Sequence, residues 1–293
     1  MSDGSVQCRT VYLDGEWLPE DQAKVSIFDR GFVFADAIYE VTAVADGKLI
    51  DFDFHMARLE RSLSALGIPM SLTAGECLEL HKQICVRNGI VDGLIYMQIT
   101  RGAQDRNFVI ADGLRPTVVL FTQFRNVLAN PKWKSGISVR TVPDGRWANR
   151  HVKTVQLLYS SMAKTQAVRD GFDDALFVED GLITETCSAN FHMVQSDGTL
   201  VTRGLSDALL HGVTRASILD IAAEAGIPTE QRAFSVVEAQ RATEAFITDS
   251  VGMVTPVVSI DRVPIGEGVP GPVAQHLLHL YIDQKLKSGV RVS

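Results

Sequence analysis

Residues 145–158 read Gly-Arg-Trp-Ala-Asn-Arg-His-Val-Lys-Thr-Val-Gln-Leu-Leu, a basic and polar segment that carries Lys153. Further along the chain, residues 183–191 read Ile-Thr-Glu-Thr-Cys-Ser-Ala-Asn-Phe and carry Glu185. Pyridoxal phosphate chemistry requires a lysine amine that forms a Schiff base and a carboxylate that keeps the pyridine nitrogen protonated. Lys153 and Glu185 therefore indicate this cofactor, provided that a phosphate site lies elsewhere in the chain.

Two segments can supply that phosphate site. Gly212 precedes an apolar run that ends near Gly226, so Val213 and Thr214 are predicted to open a helix with free backbone N–H groups, which bind anions. Arg58 lies in a second helical pattern and adds a fixed positive charge. A short apolar strand, residues 245–250, ends in hydroxyl side chains at Thr248 and Ser250.

The order of these features resembles the fold type IV pyridoxal phosphate enzymes, and among them most closely the D-amino acid aminotransferases. The resemblance runs from Val11 to about Leu280. It includes three further segments: residues 29–41 (Asp-Arg-Gly-Phe-Val-Phe-Ala-Asp-Ala-Ile-Tyr-Glu-Val), residues 96–102 (Tyr-Met-Gln-Ile-Thr-Arg-Gly) and residues 246–257 (Phe-Ile-Thr-Asp-Ser-Val-Gly-Met-Val-Thr-Pro-Val). The resemblance implies an α+β fold of two domains that binds pyridoxal 5'-phosphate.

The resemblance also implies a role for each candidate site residue. Lys153 is the Schiff-base lysine and the acid/base catalyst, and Glu185 is the partner of the pyridine nitrogen. Four residues from three parts of the chain hold the cofactor phosphate: Arg58, Val213, Thr214 and Ser250. Leu210 packs against the cofactor ring. Tyr39 and Arg106 bind the substrate carboxylate, with the Arg106 loop coming from a second subunit. The implied assembly is a homodimer with shared active sites.

The sequence departs from the pattern of the D-amino acid enzymes in three places. The carboxylate-binding motif reads Arg106-Asn-Phe108, where Arg-x-His is common, so an apolar ring replaces a donor. Glu185-Thr186-Cys187 replaces Glu-Gly-Ser, and Arg150-His151 stands before Val152-Lys153 where an acidic residue is common.

Several activities of this enzyme class stay open at this point. Tyr39 and Arg106 favour transfer of the amino group of D-amino acids to a keto acid such as pyruvate or 2-oxoglutarate. Phe108 makes the site more apolar, as an (R)-selective amine transaminase would require. A branched-chain aminotransferase and an aminodeoxychorismate lyase use the same lysine and cofactor and are further alternatives.

Composition excludes several other classes of protein. The chain has 293 residues, of which 46% are hydrophobic, and a formal net charge of −7, which argues against a nucleic-acid partner. We expect no membrane span, because no apolar run is long enough. The N-terminal residues show no secretory signal, so a cytoplasmic location with four reduced cysteines is expected, and no metal signature is present.

Turn and capping signals predict the organisation of the chain. Asp14-Gly15 and Asp46-Gly47 predict hairpins, and Thr73-Ala-Gly-Glu76 predicts the capped start of a helix. A first α/β domain is predicted over residues 1–122, an interdomain linker over 123–136 and a C-terminal cofactor-binding domain over 137–293. Residues 137–142, 175–184 and 191–202 are predicted to form strands and hairpins, and helices are predicted to begin near Leu157, Thr214, Ser235 and Gly271.

Overall fold

The structure, a computed structural model, describes residues 8–70 and 72–292. Residues 1–7, on which the expectation of no secretory signal partly rests, lie outside this range. The chain divides into two compact units. The first, here the N-terminal unit, contains Met1–Leu128, Lys153–Val155 and Gly289–Ser293. The second, the C-terminal unit, contains Ala129–Val152 and Gln156–Ser288.

The N-terminal unit is built on a seven-stranded sheet. Its elements, in chain order, are β1 (Thr10–Leu13), β2 (Glu16–Pro19), α1 (Arg30–Phe34), β3 (Ala37–Ala45), β4 (Lys48–Leu49), α2 (Phe52–Leu66), α3 (Ala74–Asn88), β5 (Gly93–Thr100) and β6 (Val118–Phe124), with β16 (Val290–Arg291) from the end of the chain. The strand order is β16-β4-β3-β5-β6-β1-β2. The neighbouring pairs are antiparallel, so successive side chains of each strand face opposite sides of the sheet.

Helix α2 packs on β3, and helix α3 packs on β1 and β6. Leu59 and Leu63 of α2 are buried, as are Ile38 and Val44 of β3. This packing fixes α2, and with it Arg58, relative to the strand that carries Tyr39.

The C-terminal unit is built on a nine-stranded mixed sheet. Its elements are α4 (Lys132–Ser135), β7 (Ile137–Pro143), α5 (Leu158–Arg169), β8 (Asp174–Glu179), β9 (Leu182–Thr186), β10 (Asn190–Val194), β11 (Leu200–Thr202), α6 (Val213–Glu224), β12 (Thr229–Gln231), α7 (Val236–Gln240), β13 (Glu244–Asp249), β14 (Met253–Ile260), β15 (Val263–Pro264) and α8 (Pro272–Ser288). The order is β12-β11-β10-β13-β14-β7-β8-β9, with β15 paired to β14. Its buried core includes Phe191, Met193, Phe234 and Ile247.

The predicted α+β fold is confirmed, and most local signals act as expected. The Asp14-Gly15 and Asp46-Gly47 turns join β1 to β2 and β3 to β4. Thr73 accepts from the Glu76 backbone, and the Glu76 side chain accepts from the Thr73 backbone, so the predicted capping box begins α3. The short helices α1 and α4 and the strands β12, β15 and β16 were not predicted, since each has too few residues to show a periodic pattern.

The domain limits at 123–136 remain a prediction. Within that range β6 continues to Phe124 and α4 forms one short helix before β7 begins. The return of Lys153–Val155 to the N-terminal unit was not anticipated. Within the described residues, no helix has both the length and the apolar character needed to cross a membrane.

Candidate active site

Lys153 is held against β3 by backbone pairing within the N-terminal unit. Its carbonyl accepts from the N–H of Tyr39 at 3.0 Å, and the N–H of Val155 donates to Ala37 at 3.2 Å. The Lys153 N–H donates to the Ser62 hydroxyl of α2 at 3.3 Å. These bonds fix the backbone on both sides of the lysine.

The side-chain amine of Lys153 lies over the ring of Tyr39, with Nζ 4.2 Å from the ring centroid. Tyr39 stacks on Tyr96 at 5.5 Å, and Tyr96 stacks on Phe121 at 4.7 Å, so three rings from β3, β5 and β6 line one face of the sheet. The Tyr96 hydroxyl donates to Gln98. The structure thus brings together two of the predicted site residues, Lys153 and Tyr39.

Arg58 is buried and is tied to Glu40, the residue after Tyr39 in β3. Its Nε donates to Oε1 of Glu40 at 2.8 Å and its Nη2 donates to Oε2 at 2.7 Å. Nδ1 of His55 lies 2.7 Å from the same Oε2. Burial alone would raise the pKa of Glu40, but the charge and hydrogen bonds of Arg58 outweigh it and hold that pKa well below its usual range. Glu40 therefore orients the arginine that was predicted to bind phosphate.

Glu185 lies on β9 in the C-terminal unit, and its carboxylate is buried. It accepts from Nη1 of Arg146 at 2.5 Å, from Nδ2 of Asn190 at 3.0 Å and from the Leu210 N–H at 3.1 Å. Burial raises the pKa of Glu185, and the Arg146 charge opposes this without fully offsetting it. A cationic partner, such as a protonated pyridine nitrogen, would favour the ionised form further.

Arg146 is shared between Glu185 and a second buried carboxylate, Asp144. Nε and Nη2 of Arg146 donate to the two oxygens of Asp144 at 2.9 and 2.7 Å, and the guanidinium carbon lies 4.4 Å from the centroid of the Phe177 ring. The Thr184 hydroxyl also donates to Asp144, at 2.7 Å. Although burial opposes it, the hydrogen bonds and charges of both carboxylates raise the pKa of Arg146. The arginine is locked, and it holds Glu185 in one orientation.

Helix α6 begins at Val213 in the same unit. Its N-cap residue is Gly212, which has no side chain that could cap the helix. A Cβ at position 212 would collide with Oδ1 of Asn190, so only glycine allows this close approach. The backbone N–H groups of the first turn of a helix have no partner within that helix and attract anions. Val213 and Thr214 therefore provide the kind of donor that a phosphate requires, and Leu210 lies beside them in the chain.

Ser250, the last member of the predicted phosphate set, directly follows the end of β13 in the same unit. The serine is half-buried. Its place after the strand agrees with the sequence-based expectation of a strand that ends in hydroxyl side chains.

Arg106 lies in the exposed loop between β5 and β6, in the N-terminal unit. Its guanidinium carbon is 5.5 Å from the ring centroid of Phe34 and 5.4 Å from that of Phe108. Nη1 of Arg30 donates to the carbonyl of Asn107 at 2.8 Å, between the two predicted residues. Across the described part of the chain, no hydrogen bond or ring contact joins Arg106 to Tyr39, so the structure does not bring the predicted carboxylate-binding pair together within one unit.

The unusual residues after Glu185 are both buried. The Thr186 hydroxyl donates to the carbonyl of Ala189 at 3.2 Å, and Cys187 packs with Ala175 and Phe177 in a small core. Burial raises the pKa of the Cys187 thiol to about 12. This thiol is therefore not a nucleophile at neutral pH.

Sequence reasoning missed two residues that contact Glu185. Arg146 stands in the same segment as Lys153, and Asn190 stands in the same segment as Glu185, yet neither received a role. The signal was available, since a carboxylate predicted to be buried requires charged or amide partners. Within the described residues, no group of three or more His, Cys, Asp or Glu side chains is arranged to hold a metal ion.

The residues present suit pyridoxal phosphate. One unit presents a lysine amine on an aromatic face and a buried arginine. The other presents a buried carboxylate held by Arg146 and an open helix N-terminus. A cofactor with an aldehyde, a basic ring nitrogen and a phosphate requires this donor set.

Comparison with known proteins agrees with this chemistry. Residues 37–260 match the family model described as amino-transferase class IV. The D-alanine aminotransferase of Bacillus licheniformis is 33% identical over 91% of this chain and 94% of its own length. The D-alanine aminotransferase of Staphylococcus aureus strain MSSA476 is 32% identical, over the same shares of the two chains.

Solved structures share the fold. The branched-chain amino acid aminotransferase from Escherichia coli superposes with a TM-score of 0.87 at 22% identity, covering 95% of this chain and 95% of that one. The branched-chain amino acid aminotransferase from Thermobaculum terrenum, solved in its PLP form, gives 0.83 at 20% identity, covering 96% and 94%. The extent of the family match and the lysine, carboxylate and helix terminus described above show that this chain belongs to the class IV aminotransferases, and that it is a pyridoxal phosphate-dependent aminotransferase of the type IV fold.

Proposed function

We propose that the enzyme transfers the amino group of a D-amino acid to a keto acid such as pyruvate or 2-oxoglutarate. The observation that carries this proposal is the position of the Lys153 amine over the Tyr39 ring. Lys153 Nζ lies 4.2 Å from the centroid of the Tyr39 ring, and we propose that Lys153 moves the substrate proton while Tyr39 helps to bind the substrate carboxylate. The names of the curated relatives at 32–33% identity support the same substrate class.

In the proposed reaction, Lys153 carries the cofactor and then moves the proton of the substrate Cα. When bound, the cofactor supplies a ring that accepts the electron pair left at Cα. The ionised Glu185 carboxylate keeps the ring nitrogen protonated, because two opposite charges that lie close together in a buried site each favour the charged form of the other. Arg146 holds the Glu185 carboxylate in the orientation that this interaction needs.

The phosphate is proposed to bind Arg58 together with a set from the C-terminal unit: Val213, Thr214 and Ser250. A dianion is best held by both a fixed charge and oriented donors, and the set supplies both. Leu210 packs against the ring. Family membership supports the assignment of these residues to the cofactor.

Substrate binding is proposed to use Tyr39 and Arg106. Because these two residues make no contact within the described part of the chain, Arg106 is proposed to serve the active site of a second copy. The proposal therefore includes a homodimer with shared active sites. A location in the cytoplasm stays a prediction from the sequence.

An (R)-selective amine transaminase is the second candidate. Phe108 is 77% exposed and stands where the D-amino acid enzymes commonly have a donor, so the loop offers an apolar ring to the substrate. The branched-chain aminotransferases share the fold of this chain. At 20–22% identity, that likeness does not support branched-chain amino acids as its substrates. An aminodeoxychorismate lyase remains an alternative outcome of the test.

The test is a substrate panel followed by absorbance of the bound cofactor. D-alanine, L-leucine, (R)-1-phenylethylamine and aminodeoxychorismate are each added with and without pyruvate. We expect D-alanine to convert the cofactor fully to its amine form and pyruvate to reverse the change. Faster turnover of L-leucine or of (R)-1-phenylethylamine would replace the D-amino acid assignment by the corresponding alternative. Release of pyruvate without conversion of the cofactor would indicate a lyase.

A further inference from the structure

Rings and guanidinium groups from α1 and from the loop that carries Arg106 form one cluster. Phe34, from α1, and Phe108, from the loop itself, are 5.5 Å apart between centroids, and the Arg106 guanidinium lies within 5.5 Å of both. A cation at this distance from an aromatic face is attracted by the ring quadrupole. The two rings therefore restrict where the Arg106 charge can lie.

The Phe34 ring is also in contact with Arg30. The guanidinium carbon of Arg30 is 4.6 Å from the Phe34 centroid, and its Nε donates to Asp36 at 2.7 Å. The same carboxylate oxygen accepts from Nε of Arg101, at 2.7 Å. Arg30 is buried, so Phe34 is packed against a side chain that has little freedom.

The loop backbone is held as well. Nη1 of Arg30 donates to the carbonyl of Asn107, and the Asn107 side chain accepts from the Val109 N–H at 3.0 Å. Nε2 of Gln104 donates to the carbonyl of Val109 at 3.0 Å. A loop with these bonds presents Arg106 from a defined backbone, although its side chains are exposed.

We propose that Phe34 and Phe108 act as an aromatic clamp that positions Arg106 for a substrate carboxylate. The inference rests on the proposed function and deepens it. In Arg106-Asn-Phe108 the side chain of Phe108 has no hydrogen-bond donor. The clamp gives Phe108 a different role. Phe108 orients the Arg106 cation, and it does not bind the carboxylate itself. Phe34 and Phe108 are thus positioning residues that determine specificity.

If the clamp acts through its aromatic rings, the effect of a substitution should depend on whether the new side chain has a ring and not on its size alone. Leucine keeps the apolar bulk of phenylalanine but lacks the π face, whereas tyrosine keeps the face. A cation–π contact at an exposed site corresponds to roughly a two- to fivefold effect on binding. We expect Phe34→Leu and Phe108→Leu each to weaken carboxylate binding about threefold, the double variant about tenfold, and Phe108→Tyr to retain wild-type affinity.

The experiment measures the affinity of the holoenzyme for propionate by isothermal titration calorimetry. Propionate carries the carboxylate of alanine without its amine, so it binds without reacting. Phe124→Leu is the matched control, because Phe124 is 80% exposed in the same unit and is not in the clamp. The KM for D-alanine should rise in the clamp variants and stay at the wild-type value in Phe124→Leu.

Three other outcomes would contradict the clamp. If Arg106→Ala leaves propionate affinity unchanged, the carboxylate role of Arg106 fails and the clamp falls with it. If Arg106→Ala weakens binding but the leucine variants behave like Phe124→Leu, only the clamp is overturned. If the leucine variants change subunit dissociation in sedimentation and leave propionate affinity unchanged, the rings serve assembly and the clamp is overturned.

Discussion

Arg146 donates a 2.5 Å hydrogen bond to Glu185, and the two residues lie in the same unit, with both side chains largely buried. The arginine is also bound by Asp144, so one cation is shared by two anions. Removing one partner of a buried ion pair leaves an uncompensated charge, which is strongly unfavourable. The orientation and the ionisation of Glu185 therefore both depend on Arg146.

Replacing Arg146 by methionine should lower the free energy of unfolding of the apoenzyme by about 3 to 5 kcal/mol at pH 7. The loss should be smaller at a pH near the ordinary glutamate pKa of 4.5, where protonation of Glu185 relieves its unpaired charge. Chemical denaturation at both pH values measures the difference. Arg140→Met is the control, because the Arg140–Asp170 pair is partly exposed and contributes at most about 1 kcal/mol. Equal losses in the two variants would show that the Arg146 network is not a buried pair of this kind.

The pKa of Glu185 predicts a pH dependence for the apoenzyme. Burial raises that pKa above its ordinary value of 4.5, so the contribution of Glu185 to stability is present below about pH 4.5 and is lost as the pH rises through the raised pKa. The stability of wild type relative to Glu185→Gln should therefore fall as the pH rises.

Glu179 supplies the opposite control, because hydrogen bonds from Arg150 lower its pKa. Its contribution is present above about pH 4.5 and is lost as the pH falls. Denaturation of Glu179→Gln should accordingly show the reverse slope relative to wild type. A flat difference for Glu185→Gln between about pH 4.5 and about pH 8 would contradict the raised pKa.

Lys153→Ala should abolish turnover and the visible absorption band of the Schiff base. The reason is that no other amine is expected to form the Schiff base or to move the Cα proton. Absorbance spectra and single-turnover assays with D-alanine measure both effects. Lys164→Ala is a suitable control, because that lysine is exposed and pairs with Asp174. Transamination by Lys153→Ala at a rate near wild type would exclude the assignment.

Arg58→Ala should release the cofactor about ten- to a hundredfold faster during dialysis, because charge-assisted hydrogen bonds to the phosphate are lost. Arg61→Ala, on the exposed side of the same helix, is the control. Because Arg58 also pairs with Glu40, retention is compared at equal folded fraction by circular dichroism. The double variant Arg58→Met/Glu40→Gln leaves no unpaired carboxylate at position 40. Retention of cofactor by this double variant at the wild-type level would limit Arg58 to a structural role.

The features predicted well from the sequence are those with local causes. Asp14-Gly15 adopts a hairpin turn and Thr73 caps α3, because a few adjacent residues determine each. The pairing of Lys153–Val155 with β3 was not predicted, since bonds between residues distant in the chain leave no periodic trace. The residue types at the site were predictable from the chemistry, but the sharing of Arg146 between Asp144 and Glu185 depends on how distant segments of the C-terminal unit meet.

Arg106 is predicted to determine which substrates the active site accepts. If Arg106 binds the substrate carboxylate in a water-poor site, its removal costs about 3 to 5 kcal/mol, which corresponds to a loss of about 10² to 10³ or more in kcat/KM for D-alanine. An amine without a carboxylate loses no such interaction, so kcat/KM for (R)-1-phenylethylamine should stay within about threefold of wild type. Steady-state kinetics of Arg106→Ala with both substrates measure the difference. Arg125→Ala, at another exposed arginine of the same unit, controls for the loss of surface charge. Equal losses for the two substrates would mean that Arg106 supports the loop or the assembly, and the D-amino acid proposal would then lack its main support among the residues of this chain.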